Sequence, residues 1–96
     1  MNDRLNRSVL RHMGEPAEYG MQREPLRVVF NRRPFETLDT SGYITEAWCL
    51  KEDAERLGIE TRQDIVIRGV TYEIVPPFED DFGGMMRMVL ERIDGL

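Results

Sequence analysis

Few residues in this chain of 96 have side chains suited to catalysis, and their spacing does not assemble an active centre. His12 is the only histidine. It falls near the end of a predicted surface helix, and nothing beside it supplies the orienting partner and pocket a general base needs. Cys49 is the only cysteine, which excludes an intrachain disulfide and a multi-cysteine metal site; a small buried residue in a strand is the fitting role. Glu79-Asp80-Asp81 offers oxygen ligands, but calcium-loop spacing is absent and adjacent acids alone make no coordination shell. Gly83-Gly84 matches neither phosphate-binding glycine pattern and precedes a strand. Ser8 and Ser41 lack a nucleophile-elbow context. The expectation is a non-enzyme with no catalytic residue, cofactor or metal.

The remaining polar and aromatic residues suit contact better than catalysis. Arg32-Arg33 can meet phosphate or an acidic neighbour. Tyr43 and Trp48 fall on opposite faces of one predicted strand, so they form no stacking platform, and core packing is expected for one of them. Met85, Met86 and Met88 suit an irregular core or an adaptable contact surface, with the core favoured.

Hydrophobic spacing defines the elements that position these residues. Leu5, Val9 and Met13 recur every four residues and Leu10 widens the stripe, predicting a helix over residues 2–13. Gly14 and Pro16 end it. So short a helix is marginal in water and must dock on something. From Ala17 the period becomes that of strands. Residues 17–20 give a weak strand, and Pro25 to Phe30 a better one with Leu26, Val28 and Phe30 on one face. Asn31-Arg32-Arg33-Pro34 is expected to interrupt it, Phe35 to Leu38 to resume nearby, and residues 39–42 to form a polar loop. Tyr43 to Leu50 reads as a strand, and residues 51–57 as a helical turn stopped by Gly58. Residues 64–67 and 70–75 form a hairpin about Arg68-Gly69, with Gly69 able to take the positive φ required. Pro76-Pro77 is expected to end its second strand. An acidic loop from Phe78 to Gly84 leads to a last strand, Met85 to Ile93. The pattern predicts a mainly β fold: a small antiparallel β-sandwich or barrel with an N-terminal helix and one short internal helix. The domain reading is a helical segment over residues 1–14, able to order on docking, and one β-rich domain over 15–96.

With 41% hydrophobic and 32% charged residues, the chain has the composition of a globular domain. No stretch approaches the roughly 20 apolar residues of a membrane span, and the N-terminus lacks a signal peptide's apolar core; a cytoplasmic product is expected. Residues 1–34 carry +3 and residues 35–96 carry −8. A sequence-independent nucleic-acid binder needs a clustered basic face, and the body of this chain is the reverse.

The stretch LKEDAERLGIETRQDIVIRGVTYEIV, followed by an acidic glycine-containing loop and MMRMVLERI, resembles the lambda-type phage head–tail joining proteins. The resemblance runs from about Leu10 to Ile93. In that family a short helical element precedes a GDxIxIdGxxYxV hairpin. Ala54 to Leu57 stands for the former, and Asp64, Ile65, Ile67, Gly69, Tyr72 and Val75 fall on the latter. GEPAEY (14–19) and LRVVF (26–30) also look like the opening of such proteins. Gln63 stands where glycine is usual, and Arg68 where aspartate is usual.

The resemblance implies a structural phage or prophage protein, present in the host cytoplasm during assembly and then in the virion neck. It would self-associate into a ring joining the DNA-filled head to the tail. Implied partners are the portal or a head-completion adaptor on one side, and the tail terminator or tail tube on the other. DNA would pass through without being specifically bound. Candidate interface residues are Leu5, Val9, Arg32, Arg33, Phe35, Asp39, Phe78, Asp80, Asp81 and Phe82. The rival readings are a tail terminator or tail-completion protein, a nucleic-acid-binding β-barrel, and a small enzyme.

Overall fold

The computed structural model describes residues 3–36, 41–81 and 83–93. Helix α1 (Asp3–Met13) is followed by β1 (Glu15–Tyr19), β2 (Glu24–Glu36), β3 (Ser41–Leu50), helix α2 (Lys51–Leu57), β4 (Asp64–Ile67), β5 (Val70–Asp80) and β6 (Met85–Arg92). The six strands close into an antiparallel barrel in the order β1-β2-β3-β6-β5-β4. Of the two architectures expected, the barrel forms. Its closure rests on β1, the strand with the weakest sequence signal. β1 pairs with β2 from Glu15↔Val28 to Tyr19↔Glu24, and with β4 from Ala17↔Ile67 to Tyr19↔Ile65. Two sheet edges that would otherwise be open thereby satisfy each other.

Period-two alternation sends one face of every strand inward. Val28, Ala47, Cys49, Ile65, Ile67, Ile74 and Met88 are all 0% exposed. One end of the barrel is stoppered by α2 and the turn after it, where Ala54 and Ile59 join the core with Leu57 packed against it. Gly58 supplies the left-handed stop at φ 65. The Tyr19 hydroxyl holds this stopper in place, accepting from the Glu60 N–H at 3.2 Å and lying 3.3 Å from the Gly58 carbonyl to which it donates. At the other end Phe30 and Tyr72 meet with ring centroids 5.8 Å apart. Arg68 stacks over Phe30 at 4.9 Å.

The hairpin turn takes positive φ at both central residues, 56° at Arg68 and 75° at Gly69, the form that suits a two-residue connection between twisted strands. Arg68 is thus itself in the left-handed region. Its side chain is fixed by a forked contact with Glu15, at 2.7 and 2.8 Å.

Several expectations are corrected. Asn31 to Pro34 does not interrupt a strand: β2 runs from Glu24 to Glu36, so Phe35 and Glu36 belong to it. β2 has no partner but β3 in that stretch among the described residues, and proline is tolerated on such an edge, where its missing N–H faces no neighbour. Thr37 to Thr40 lie outside the described residues, and Ser41 and Gly42 already belong to β3. Pro76-Pro77 does not end β5, which continues to Asp80. The register jumps from Val75↔Val89 to Phe78↔Met88, so both prolines sit in a bulge outside the ladder. Neither Trp48 nor Tyr43 enters the core: Trp48 is half-buried and Tyr43 is 61% exposed. Within α1 the fully buried residue is Leu10, while Leu5 and Met13 are exposed.

Ile74→Ala should lower unfolding free energy by about 3 kcal/mol through lost burial and a residual cavity. The check is a shift in urea midpoint at constant m-value. Burial, with the negative charge of Asp53, pushes the Cys49 thiol up to about 12. At pH 8 a thiol-reactive disulfide reagent should leave Cys49 unmodified in the folded chain and titrate it promptly in urea.

Candidate functional site

The strand registers divide the barrel into two ends. Val28, Thr45, Ile67, Val70 and Arg92 mark one; Tyr19, Glu24, Leu50, Met85 and Asp80 mark the other. The candidate interface residues separate between them. Arg32, Arg33 and Phe35 lie on the β2–β3 hairpin beyond the first end. Phe78, Asp80 and Asp81 lie at the second, where the N-terminal part of α1, with Leu5, also arrives through a hydrogen bond from Asn6 to the Gly83 carbonyl. Val9 is half-buried midway along α1. Asp39 and Phe82 lie outside the described residues.

At the first end β2 and β3 continue past their neighbours. β1 accompanies β2 only as far as Val28, and β6 accompanies β3 only from Thr45 onward. Pairs from Asn31↔Glu46 to Glu36↔Ser41 carry the hairpin outward. Beyond Thr45 it is a two-stranded arm among the described residues. Arg32 lies over the Tyr43 ring at 4.4 Å on this arm. Arg33 turns to the other face, and its Nε donates to Glu46 Oε1 at 2.9 Å.

Glu46 anchors the arm's base. It is only 3% exposed on the outer face of β3, and its second oxygen accepts from Arg87 Nε at 2.8 Å. Arg87 extends the chain of charges to Glu79 at 3.1 Å. Burial pushes the Glu46 carboxyl up, but hydrogen bonds from Arg33 and Arg87, with their attraction, outweigh it and hold the group below the usual carboxylate range. Glu15 is also held low, chiefly by its hydrogen bond from Arg68. Alternating arginines and carboxylates thus join β2, β3, β6 and β5 across the barrel's outside.

At the second end the acidic stretch is paired within the chain. Lys51 Nζ donates to Asp80 at 2.8 Å, and Trp48 Nε1 to Asp81 at 3.1 Å. Phe78 packs against the core. Lys51 N–H donates to the Gly84 carbonyl at 2.9 Å. Helix α1 is tied down mostly by polar contacts: Asn6 to Gly83, an ion pair from Arg7 to Glu52, and Arg27 at its C-terminus. Arg27 Nε donates to the Leu10 carbonyl at 3.2 Å and Nη2 to the Gly14 carbonyl at 2.7 Å, satisfying acceptors at the end of the helix.

Arg27, Glu46 and Arg68 were missed in the sequence because their partners are distant in the chain; Glu46 bonds residues 13 and 41 positions away. A single carboxylate at an outward position of an apolar strand was the only local hint. Among the described residues no group of three or more His, Cys, Asp or Glu is placed to hold a metal ion. Among them, too, no helix is long and apolar enough to cross a membrane.

A carboxylate held low in the folded state stabilises it above its ordinary pKa of 4.5, and that stability is lost as pH falls through the lowered value. Glu46→Gln should therefore destabilise the barrel at pH 7 by about 2 kcal/mol. The gap between variant and parent in chemical denaturation should close as pH is lowered below 4.5.

Comparison with known proteins adds one assignment. A protein-family model described as Phage Head-Tail Attachment protein matches residues 1–91. No curated protein matches the chain.

Proposed function

Because this chain belongs to the phage head–tail attachment protein family, a structural family whose role is joining head to tail, we propose that its barrel is the spacer of a neck ring and its two ends are the docking faces. Family membership implies contact with head and tail components and a place in the virion. The finer reading assigns one barrel end to the portal or head-completion adaptor and the other to the tail terminator or tail tube, with copies of the chain side by side in the ring. Assembly takes place in the host cytoplasm, and DNA crosses the ring without specific binding. The −8 carried by residues 35–96 suits a passage along which phosphate slides without sticking.

The observation that supports this reading is that Arg32, Arg33 and Phe35 fall at one end of the barrel and Leu5, Phe78, Asp80 and Asp81 at the other, in a molecule 41 Å along its longest axis. A joiner must engage two different neighbours at once, and a closed barrel with a saturated core offers rigid separation between them. The arm presents Arg32 stacked on an exposed Tyr43 at one end. The other end presents Leu5, 62% exposed on a helix fastened by few contacts. Large rigid rings and guanidinium forks are the side chains that dominate protein interfaces. An exposed aliphatic residue on a short helix gains from burial by a partner. The candidates Arg33, Asp80 and Asp81 contribute differently: their intramolecular pairs hold the arm and the Phe78–Gly84 stretch in shape for docking.

Two double variants test the division of labour. Leu5→Asp with Val9→Asp, and separately Arg32→Glu with Tyr43→Ser, should each shift the melting temperature by only a few degrees, since the altered residues lie outside the core. Each should abolish joined particles when supplied to a phage lacking the gene. Normal yields of joined particles from either folded variant would remove that end of the barrel from the interface.

A further inference from the structure

Two exposed apolar residues, Met13 at 69% and Ile93 at 49%, take no part in the contacts assigned to the barrel ends. Each stands beside an unfavourable arrangement of charge. Ile93 follows β6, where the strand registers set Asp64 opposite Glu73 and Glu73 opposite Glu91. Their neighbours Ile65, Ile74 and Leu90 point into the core, so the three carboxylates form a row across the outer face of β4, β5 and β6. Like charges directly opposite on a sheet destabilise it. Arg62 lies 3.6 Å from Glu73, while Asp64 and Glu91 have no ion pair or side-chain hydrogen bond among the described residues. The row runs along the sheet at one strand spacing of ~4.8 Å per step and does not converge on a single ion.

Helix α1 carries the reverse. Arg7 and Arg11 lie one turn apart, a like-charged i,i+4 pair, and Arg27 reaches the same helix from β2. The nearby acids are already engaged: Glu52 by Arg7, and Asp53 by Arg56 at 3.1 Å. Arg11 is exposed and makes no hydrogen bond or ion pair among the described residues, and Arg27 donates only to the Leu10 and Gly14 carbonyls. Two positive charges thus lack a carboxylate here, against two carboxylates that lack a cation in the row.

The two faces lie on opposite sides of the barrel. In the order β1-β2-β3-β6-β5-β4, the strand at the centre of the row, β5, is three places from β2, on which α1 packs. Met13 and Ile93 are also at one level. Helix α1 leads into β1 where Glu15 meets Val28, and the Ile93 N–H donates to the Thr71 carbonyl beside Val70, both at the first end. When two different patches of one molecule fit each other, copies join head to tail, and such contacts close into a ring where the rotation permits.

Resting on the ring reading above, we propose that the outer face of β4, β5 and β6 in one copy receives the α1 flank of the next, with Arg11 and Arg27 over the row Asp64–Glu73–Glu91 and Met13 and Ile93 covered at its margin. A second copy is selected because one repeated contact relieves both faces. A nucleic-acid strand would answer the arginines alone and be repelled by the row. A basic partner would answer the row alone and leave Arg11 and Arg27 as they are. Charge complementarity of this kind fixes which flank meets which and at what level.

The test follows self-association of the purified full chain by sedimentation velocity at low ionic strength. The unaltered chain should form dimers and larger species that dissociate as salt is raised. Arg11→Glu, Asp64→Arg and Glu91→Arg, each alone, should weaken association roughly tenfold without changing the circular dichroism spectrum. Arg11→Glu combined with Asp64→Arg, or with Glu91→Arg, should recover it to within about threefold. Because the paired positions lie on opposite flanks of one molecule, recovery reads a contact between copies and not a repair within the chain. The proposal is overturned if the unaltered chain stays monomeric, if the single variants associate as well as the parent, or if neither combination recovers. Retardation of oligothymidylate by the unaltered chain but not by Arg11→Glu would assign the α1 flank to nucleic acid and overturn it too. Whether the unaltered chain joins heads to tails is read separately by complementation, so either result can fail without the other.

Discussion

The pairing of β1 with β4 is the constraint on which the rest of the molecule depends. Only three residue pairs, Ala17↔Ile67 to Tyr19↔Ile65, turn a six-stranded sheet into a closed barrel. In a chain of 96 residues one small core must carry the stability. Closure encloses Val28, Ile65, Ile67, Ile74 and Met88 from every side and leaves no long exposed sheet edge around the barrel wall. It also fixes where recognition can occur. With the interior filled by side chains, the surfaces that the described residues leave open to other molecules are the barrel's ends and its outer flank.

Outside that core, structure is held by a different class of interaction. Helix α1 buries Leu10 and otherwise depends on Arg27, Asn6 and Arg7 for its attachment. The arm depends on Glu46, and the turn at Arg68 on Glu15. Apart from the buried Glu46 carboxylate, these contacts fix geometry with modest energy, because exposed ion pairs are worth little individually. Elements attached in this way open at lower free energy than the barrel strands. In the proposed role, these peripheral elements are the parts of the molecule best able to adjust when a neighbour docks.

The parts of this fold legible in the sequence were those decided locally. The stop of α2 at Gly58, the Arg68-Gly69 hairpin and the inward face of Met88 and Leu90 each follow from a few adjacent residues. The two proline-marked strand ends were misread because a proline's effect depends on which edge it faces. Pro34 lies where β2 has no neighbour on its outer side, and Pro76-Pro77 lies in a bulge. The candidate contact residues can be chosen from the sequence only by type, and their division between two ends is not visible there. Leu5 and Phe78 share an end although they are 73 positions apart in sequence, because α1 packs on β2 and β3 while the non-local β3–β6 pairing brings the β5–β6 connection alongside. The acids at Asp80 and Asp81 read as free charge, yet Lys51 and Trp48, on elements formed thirty residues earlier, already engage them.

Membership of the head–tail attachment family and the two-ended barrel together make one claim: without this chain, both halves of the particle form and remain apart. Deleting the gene from its phage or prophage, inducing, and imaging the lysate by electron microscopy tests it most directly. The account predicts heads beside complete, unattached tails, with joining restored when the purified protein is added back. Normal virions and normal infectivity from the deletion would contradict it.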